Sequence, residues 1–460
     1  MTRAAEAGLI NARLDRLPAT RAIWRRVALL SLGGLFEYYD LFLTGYIGPG
    51  LVRSHILAPT TRGLFGTTGI AAFVAAMFSG LFIGTALFGF LADRFGRRLI
   101  FTVSLLWYTA ATAIMAFQND VFGLNLWRFI AGIGVGVELV TIDAYLSEIV
   151  PGALRGRAFA YNNVIQFSAV PIVALLSWLL VPASPFGFDG WRWVVLIGSA
   201  GAILVWWIRL RVPESPRWLA LHGRFEQAER ILAELENEAE REVVSTLPAV
   251  AKPQPQSSRG RFLEIWRPPY GRRTVMLVVF NIFQTVGFYG VANWLPTLLI
   301  QQGITVPNSL QYTFIIAIAA PVGPLLAARL ADRVERKWQI VGAAFMAGVS
   351  GMIFGQMRSA FPLIVFGVLL TLSNNTMSFA FHAYQPELYP TRIRAMAVGF
   401  AYSWSRLSVV FSAFVIAFFL DRFGVGGVFA LIAASMLVVM LAIGLLGPRT
   451  RNLALEEISR

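Results

Sequence analysis

Residues 91–98 read LADRFGRR and residues 330–337 read LADRVERK, so one charged motif occurs twice, 239 positions apart (330 − 91 = 239). A second motif, SEIVPGALRG at 147–156, returns with the same offset as PELYPTRIRA at 386–395 (386 − 147 = 239). Two unrelated motifs that keep one offset indicate an internal duplication. Both motifs lie between long apolar runs, and a duplicated set of spanning helices is a common architecture of membrane transporters.

The composition excludes a soluble protein. Of the 460 residues, 57% are hydrophobic and only 14% are charged, and the mean hydropathy is +0.64. Apolar runs of about 20 residues recur, each long enough to cross the ~30 Å hydrocarbon core of a bilayer. The net charge of +14 comes from arginines in short loops, so it indicates membrane topology and no nucleic-acid partner. The chain has no cysteine, which excludes disulfides, thiolate metal sites and cysteine nucleophiles.

The apolar runs predict twelve spans, at residues 27–48, 64–91, 99–117, 121–149, 157–181, 191–210, 274–300, 309–331, 338–357, 361–386, 397–420 and 426–446. The loops between them are alternately rich and poor in arginine. By the positive-inside rule the arginine-rich loops and both termini face the cytoplasm. We therefore expect an all-α membrane protein with twelve transmembrane helices in two pseudo-symmetric six-helix bundles.

The predicted domains follow from these spans: a cytoplasmic tail (1–26), a first bundle (27–210), a cytoplasmic loop (211–273), a second bundle (274–446) and a second cytoplasmic tail (447–460). Within the loop, Glu226 to Arg241 predicts a short charged helix, and residues 248–260 predict a flexible linker. We expect this loop to be a solvated connector that carries no chemistry.

Charged residues at membrane depth are costly and usually face a cavity or a partner. Glu37 and Asp40 lie three positions apart in the first span, on nearly one helical face. Arg128 opens a glycine-rich stretch of the fourth span that allows a neighbouring helix to approach closely. A buried arginine stays protonated, whereas a carboxylate can titrate, so an acid beside it can exchange a salt bridge for a proton. We interpret the three as the proton-coupling group; the alternative is a static ion pair between the two spans.

The second half has lost both acids. When Pro296 is laid on Pro49, with an offset of 247 (296 − 49), Gln284 falls on Glu37 and Gly287 on Asp40. Proton chemistry is therefore expected in the first half.

Arg406 lies twelve residues beyond the cytoplasmic Arg394 (406 − 394), or about 18 Å of helix, which places it near the middle of the bilayer. A guanidinium there is suited to bind a carboxylate of an anionic substrate. The alternative is a pair with an acid on another helix, such as Asp143. His382 in the tenth span is a weaker candidate, because a lone histidine is often a structural group. Tyr289 and Trp294 are chosen by helix position alone.

These motifs resemble the major facilitator superfamily over essentially the whole chain. The stretch from Gly89 to Arg98 looks like the loop signature of that superfamily, and Arg329 to Lys337 like its weaker second copy. PESPRWL at 213–219 resembles an element of sugar porters and organic ion transporters. The resemblance implies that Asp40 is the proton-linked acid and that Arg128 pairs with it. The first span also resembles, more loosely, bacterial proton-coupled symporters for aromatic acids and nicotinate.

The departures from the sugar-porter pattern concern the substrate. Sugar porters carry a Gln-Gln pair where this chain has Phe283-Gln284, and tryptophans where it has His382 and Arg406. Replacing stacking aromatics by basic groups argues against a neutral sugar. A basic residue in the eleventh span resembles the sequence pattern of organic anion transporters of the same branch.

The resulting hypothesis is a proton-coupled symporter for a small organic anion in the bacterial inner membrane, working as a monomer by alternating access. Its partners would be the anion, protons and the lipid bilayer. The anion would lie at the midplane between the halves. The candidate substrate-binding residues are Arg406, His382, Gln284, Tyr289, Asn163, Gln166 and Trp294.

The repeated loop motifs predict a cytoplasmic gate. Ion pairs across the two halves would hold the outward-open state and break when the inside opens. The alternative is that these charges only fasten helix ends. The candidate gate residues are Asp93, Arg97, Glu148, Arg155, Asp332, Arg333, Glu387 and Arg394.

Two other functions remain open. A proton-coupled sugar or polyol porter is the first alternative. A non-transporting nutrient sensor is the second, although the modest loop and short C-terminal tail speak against it. An enzyme is not expected, because no nucleophile–base or metal-ligand cluster stands out and only three histidines occur, at 55, 222 and 382. No metal or cofactor is expected.

Overall fold

The computed structural model describes residues 3–57, 69–88, 91–209, 212–242, 248–249, 261–331 and 333–450, and within these ranges all regular structure is helical. The α-helices are α1 (Arg3–Asp15), α2 (Arg21–Arg53), α3 (Gly69–Phe88), α4 (Leu91–Phe95), α5 (Arg97–Met115), α6 (Val121–Ile149), α7 (Arg155–Phe167), α8 (Ala169–Leu180), α9 (Gly190–Arg209), α10 (Pro216–Leu221), α11 (Phe225–Glu242), α12 (Tyr270–Gln301), α13 (Val306–Ala317), α14 (Val322–Ala331), α15 (Arg336–Phe354), α16 (Ala360–Tyr384) and α17 (Thr391–Leu441).

The described helices make twelve membrane crossings. Eleven helical stretches are long and apolar enough to span a bilayer, and the last of them, Met396–Leu446, has 51 residues. At 1.5 Å per residue this stretch is about 77 Å long, more than twice the ~30 Å hydrocarbon thickness. It bends at Gly424, whose φ of 64° and ψ of −166° are readily adopted only by glycine. The predicted all-α fold of twelve spans is thereby confirmed.

Two predicted spans are each divided into two helices by a proline. Helix α7 ends at Phe167 and α13 ends at Ala317, four residues before Pro171 and Pro321. A proline ring clashes with the carbonyl four residues earlier and provides no N–H for it. The fifth span is therefore α7 with α8, and the eighth is α13 with α14. Residues 64–68 and 89–90 of the second predicted span lie outside the described residues.

Glycines bring α3 and α6 into backbone contact. A Cβ atom at Gly80 would lie 2.1 Å from the carbonyl oxygen of Phe129, and one at Gly132 would lie 2.3 Å from that of Met77. The glycine-rich stretch after Arg128 thus packs as its small residues predict. This contact fixes the height of Arg128 within the first bundle.

One end of the first bundle carries a small helical layer of α1, α10 and α11, and we call this end of the molecule the α11 face. Helix α11 covers the predicted charged stretch. Residues 1–26 were expected to be a tail, but they contain α1 and the start of α2. Arg13 of α1 binds Glu229 and Glu236 of α11, each at 2.7 Å. Apolar side chains such as Leu14 and Leu232 are buried between these helices.

The two bundles meet closely toward the face opposite α11. A Cβ atom at Gly45 in α2 would lie 2.7 Å from the Cα of Asn293 in α12. Trp178 of α8 stacks on Phe314 of α13, with ring centroids 5.7 Å apart. These contacts close the space between the bundles on that side.

Candidate functional site

Asp40 and Arg128 form an ion pair buried inside the first bundle. Nη1 of Arg128 lies 3.1 Å from both carboxylate oxygens of Asp40, and Nη2 donates to the Asp40 backbone carbonyl. The arginine is 0% exposed and the aspartate 3%. The pairing that the sequence predicts is therefore present, and an ion pair this deep needs further hydrogen bonds to offset its desolvation.

Two threonines and a phenylalanine complete the surroundings of the pair. Thr44 accepts hydrogen bonds from Nε and Nη2 of Arg128, at 3.1 and 2.6 Å. Thr112 of α5 donates to Oδ1 of Asp40 at 2.9 Å. The Phe73 ring of α3 lies 5.6 Å from the guanidinium carbon, within the range of a cation–π contact. Four helices thus hold one salt bridge.

Two more carboxylates are buried in the first bundle. Glu37, one turn before Asp40 on α2, is 0% exposed, as is Glu138 of α6, ten residues after Arg128. Glu37 also lies within electrostatic reach of Tyr402 in the second half. Glu138 was not among the predicted site residues, although an acid in the middle of a span is itself a sufficient signal.

Arg406 of α17 is buried between the halves and bound by tyrosines. Its Nη1 donates to the hydroxyl of Tyr289 and its Nη2 to that of Tyr402, each at 2.8 Å. The arginine is only 2% exposed, and its Nε has no hydrogen-bond partner. No carboxylate among the described residues lies within ion-pair distance of it, so the alternative of a pair with Asp143 is not realised in this conformation. Tyr402, four residues before Arg406, was missed, although this spacing places it on the same helical face.

A water-accessible space leads from the α11 face toward Arg406. The His382 ring packs against Tyr402, with centroids 5.3 Å apart, and its Nδ1 lies 2.7 Å from the Ser378 carbonyl. Asp143 lies within electrostatic reach of Arg406. Both His382 and Asp143 are nevertheless exposed. Side chains that face Arg406 and still contact solvent line an opening between the bundles.

A small apolar cavity of about 50 Å³ lies between the bundles, near the face opposite α11. The aromatic rings of Phe42, Phe167 and Phe288 form much of its wall. Its polar lining includes Asn374 and Asn375 of α16, each with a side-chain oxygen that has no hydrogen-bond partner. These asparagines were missed, although two adjacent carboxamides in mid-span are an unusual polar signal.

The other predicted substrate residues have different surroundings. Gln284 is 7% exposed, and its side-chain oxygen has no hydrogen-bond partner. Gln166 packs on Gly34, where a Cβ atom would lie 2.4 Å from Nε2. Asn163 donates to the carbonyl of Phe159 in its own helix at 2.9 Å. Trp294 is 1% exposed in the apolar core and does not line the cavity between the bundles.

The predicted gate residues make ion pairs within each half. Arg97 contacts Asp93 at 2.5 Å and Glu148 at 2.8 Å in the first half. Arg155 lies 3.5 Å from Asp15 of α1. Asp332 lies outside the described residues.

In the second half, Glu387 pairs with Arg336, which was not among the candidates. Nε of Arg394 donates to the Tyr389 carbonyl at 3.2 Å. Arg333 follows α14, directly after the undescribed position 332. The ion pairs described for the candidates therefore join residues of the same half.

The PESPRWL element fastens the first copy of the loop motif. Glu214 accepts the backbone N–H groups of Arg97 and Arg98, at 3.1 and 3.2 Å, at the start of α5. Burial raises the pKa of Glu214, although these N–H groups act in the opposite direction. The indole of Trp218 donates to the carbonyl of Asp93 at 2.8 Å. The element thus caps α5 and braces the turn before it.

Two bundles of six spans, a space between them that opens at one face, and buried charges near the midplane define a multi-pass membrane transporter. The family of sugar (and other) transporters matches residues 27–460. The chain therefore belongs to this family. Proteins of this family are transporters, not enzymes.

Individual relatives cover nearly the whole chain. The putative metabolite transport protein YyaJ of Bacillus subtilis (strain 168) is 31% identical over 449 residues, 95% of each chain. The niacin transporter NiaP of Acinetobacter baylyi is 31% identical over 447 residues, 97% of this chain and 98% of the relative. The partially occluded inward-open xylose transporter XylE from E. coli has a TM-score of 0.75 at 23% identity, covering 94% of this chain and 99% of that one. The last similarity shows the fold alone.

Proposed function

We propose that the chain is a proton-coupled symporter that carries a small organic anion across the bacterial inner membrane by alternating access, as a monomer. The single observation that carries this proposal is the Arg406 guanidinium. It is buried, two tyrosine hydroxyls orient it, and its Nε is left without a partner. A buried cation without an ion-pair partner is costly, and a substrate carboxylate would neutralise it.

In this proposal, the positive-inside rule places the α11 face and both termini in the cytoplasm. The opening lined by Asp143 and His382 would then lead inward, in an inward-open conformation. The anion would enter this opening and reach Arg406, with His382 beside its path. Gln284, with an unpartnered oxygen, is available for a donor group of the substrate.

The proton would bind Asp40 and weaken its ion pair with Arg128. Asp40 lies in α2, one turn from Glu37, which is within electrostatic reach of Tyr402 and therefore close to the ligands of Arg406. Movement of α2 on protonation would therefore act on the anion site through Glu37 and Tyr402. Proton binding and anion binding would in this way favour the same rearrangement of the halves.

A comparison of nicotinate with nicotinamide tests the substrate class, because the two share a ring and differ only in the carboxylate. The similarity to a niacin transporter makes nicotinate a reasonable probe. In thermal unfolding of the purified protein, we expect nicotinate to raise the Tm and nicotinamide to leave it unchanged. Arg406→Gln should abolish the nicotinate shift, whereas Arg358→Gln, at an exposed loop, should retain it. An unchanged shift in Arg406→Gln would remove the anion proposal.

A sugar or polyol porter is the second candidate, because the cavity between the bundles presents the unpartnered side-chain oxygens of Asn374 and Asn375. Such groups suit the hydroxyls of a neutral sugar, and the fold is shared with a xylose transporter. Stabilisation by xylose or inositol but not by small carboxylates would favour this function.

A further inference from the structure

A second cavity lies inside the first bundle, between α2, α5 and α9. Its volume is about 10 Å³, enough for roughly one water molecule. Its lining includes Asp40 and the hydroxyl-bearing residues Thr109, Thr112 and Ser199, together with Tyr39 and Tyr108. A polar cavity of this size beside a buried acid is suited to hold water rather than to stay empty.

This cavity and the cavity between the bundles lie on different faces of α2. Phe36, Asp40 and Leu43 line the inner cavity and recur every three to four residues, which is one helical face. Phe42 and Tyr46 line the cavity between the bundles from another face. Asp40 therefore faces the interior of its own bundle and not the space where a substrate would bind.

The hydroxyl groups of the inner cavity are arranged to bind water and to lead to Asp40. The Thr109 hydroxyl is buried, with the residue 4% exposed, and has no hydrogen-bond partner. Ser199 donates to the Val195 carbonyl at 3.1 Å, which leaves its oxygen free to accept. Thr112 donates to Oδ1 of Asp40 at 2.9 Å, so its oxygen can also accept from a water. A buried hydroxyl without a partner is uncommon and points to a bound water.

We propose that a water molecule in this cavity passes protons to Asp40 through Thr112, as a proton-relay site inside the first bundle. The inference rests on the proposed proton coupling at Asp40. In the step, the Thr112 hydroxyl gives its hydrogen to the Asp40 carboxylate and takes one from the protonated water, whose proton comes from bulk water. No charge is left on Thr112. Arg128 keeps its hydrogen bonds to Thr44 and to the Asp40 carbonyl.

Other charged or titratable groups around Asp40 belong to three helices: Arg128 of α6, Glu37 and Tyr39 of α2, and Tyr108 of α5. Tyr39 donates to the Val194 carbonyl at 2.7 Å. From α9, the cavity is lined only by apolar residues and Ser199. The hydroxyl groups are therefore the shortest polar route to the Asp40 carboxylate on this side.

Infrared difference spectroscopy after a pH jump tests the relay without a substrate. The carbonyl band of the protonated Asp40 carboxyl is assigned by its loss in Asp40→Asn. We expect Thr112→Val to slow the appearance of this band by about tenfold or more, because positioned proton-transfer groups commonly contribute ~10²-fold or more. Thr112→Ser, which keeps the hydroxyl, should restore the rate. Thr109→Val should also slow it, whereas Ser177→Ala, a buried serine outside the cavity, should not.

Each outcome separates the relay from the proposed coupling. If the Asp40 band appears as fast in Thr112→Val and Thr109→Val as in Ser177→Ala, the relay is wrong while the coupling proposal stands. If the wild type shows no Asp40-dependent band across the pH range, the coupling proposal fails and the relay fails with it. A second measurement, proton influx driven by nicotinate in proteoliposomes, should be slowed in Thr112→Val while nicotinate exchange without net proton movement is retained.

Discussion

The negative charge of Asp40 can be balanced by Arg128 or neutralised by a proton. A variant that cannot be protonated therefore tests the role of this residue. Asp40→Asn keeps the size of the side chain and its hydrogen bond to Thr112 but cannot take up a proton. We expect proteoliposomes with this variant to exchange substrate across the membrane and to lose accumulation driven by a pH gradient. Asp421→Asn, at an exposed acid, is the matched control. Accumulation by Asp40→Asn would show that the proton binds elsewhere.

Arg128 has a structural role as well, because its loss leaves the buried Asp40 without a counter-charge. Breaking a buried pair on one side commonly costs about 3–5 kcal/mol. We expect Arg128→Met to lower the free energy of unfolding of the purified protein by an amount in this range, which is seen as a lower Tm. The double variant Asp40→Asn/Arg128→Met, which removes both charges, should recover part of the loss. Equal Tm values for the single and double variants would indicate that the pair contributes little to the fold.

At the scale of elements, α1 is held on α11 by a network centred on Glu236. Burial acts to raise the pKa of Glu236, but hydrogen bonds from Arg13 and Arg16 outweigh it and lower the pKa below its usual value. A carboxylate with a lowered pKa in the folded state stabilises that state above its unfolded pKa of about 4.3. This contribution is lost as the pH falls through the lower folded value.

We therefore expect α1 to stay docked at neutral pH and to detach below about pH 4. Hydrogen–deuterium exchange of residues in α1 would report the detachment. Glu236→Gln should already increase exchange in α1 at pH 7, and Glu240→Gln, an exposed acid on the same helix, should not. Equal exchange in both variants would assign the docking of α1 to its apolar contacts alone.

The elements themselves could largely be predicted because the signals are local. Apolar length located the spans, glycine spacing predicted that a neighbouring helix approaches α6 closely, and the prolines at 171 and 321 explain the two divided spans. Helix α1 was not predicted, because its partners in α11 lie more than 200 positions away along the chain. From sequence alone, an amphipathic segment without a nearby partner is interpreted as a tail.

At the scale of the whole molecule, the buried charges could be predicted and their mutual arrangement could not. Asp40 and Arg128 belong to one bundle, and the pairing follows from a resemblance and from charge balance. The surroundings of Arg406 depend on how two bundles are oriented about the space between them, and no local pattern encodes that orientation. For this reason the hydrogen bond of Tyr402 to Arg406, and the place of Asn374 and Asn375 in the cavity wall, became visible only in three dimensions.

The gate hypothesis also belongs to this scale, because it predicts pairs that change with conformation. In the conformation described, Arg97 pairs with Glu148 and Arg336 with Glu387, each within one half. When the cytoplasmic ends approach, we expect some of these acids to exchange their partners for arginines of the other half. Glu387→Gln would weaken that closed state and raise the fraction of inward-open molecules.

The absence of native cysteine makes this measurable, since His382→Cys introduces a single thiol in the opening. We expect Glu387→Gln to increase the rate at which a membrane-impermeant maleimide labels this thiol from the cytoplasmic side. Glu229→Gln, on α11 and outside the repeated motifs, should leave the rate unchanged. If the rate is the same in all three backgrounds, the repeated motifs fasten helix ends within each half, and the closed state must be held by contacts other than these charges.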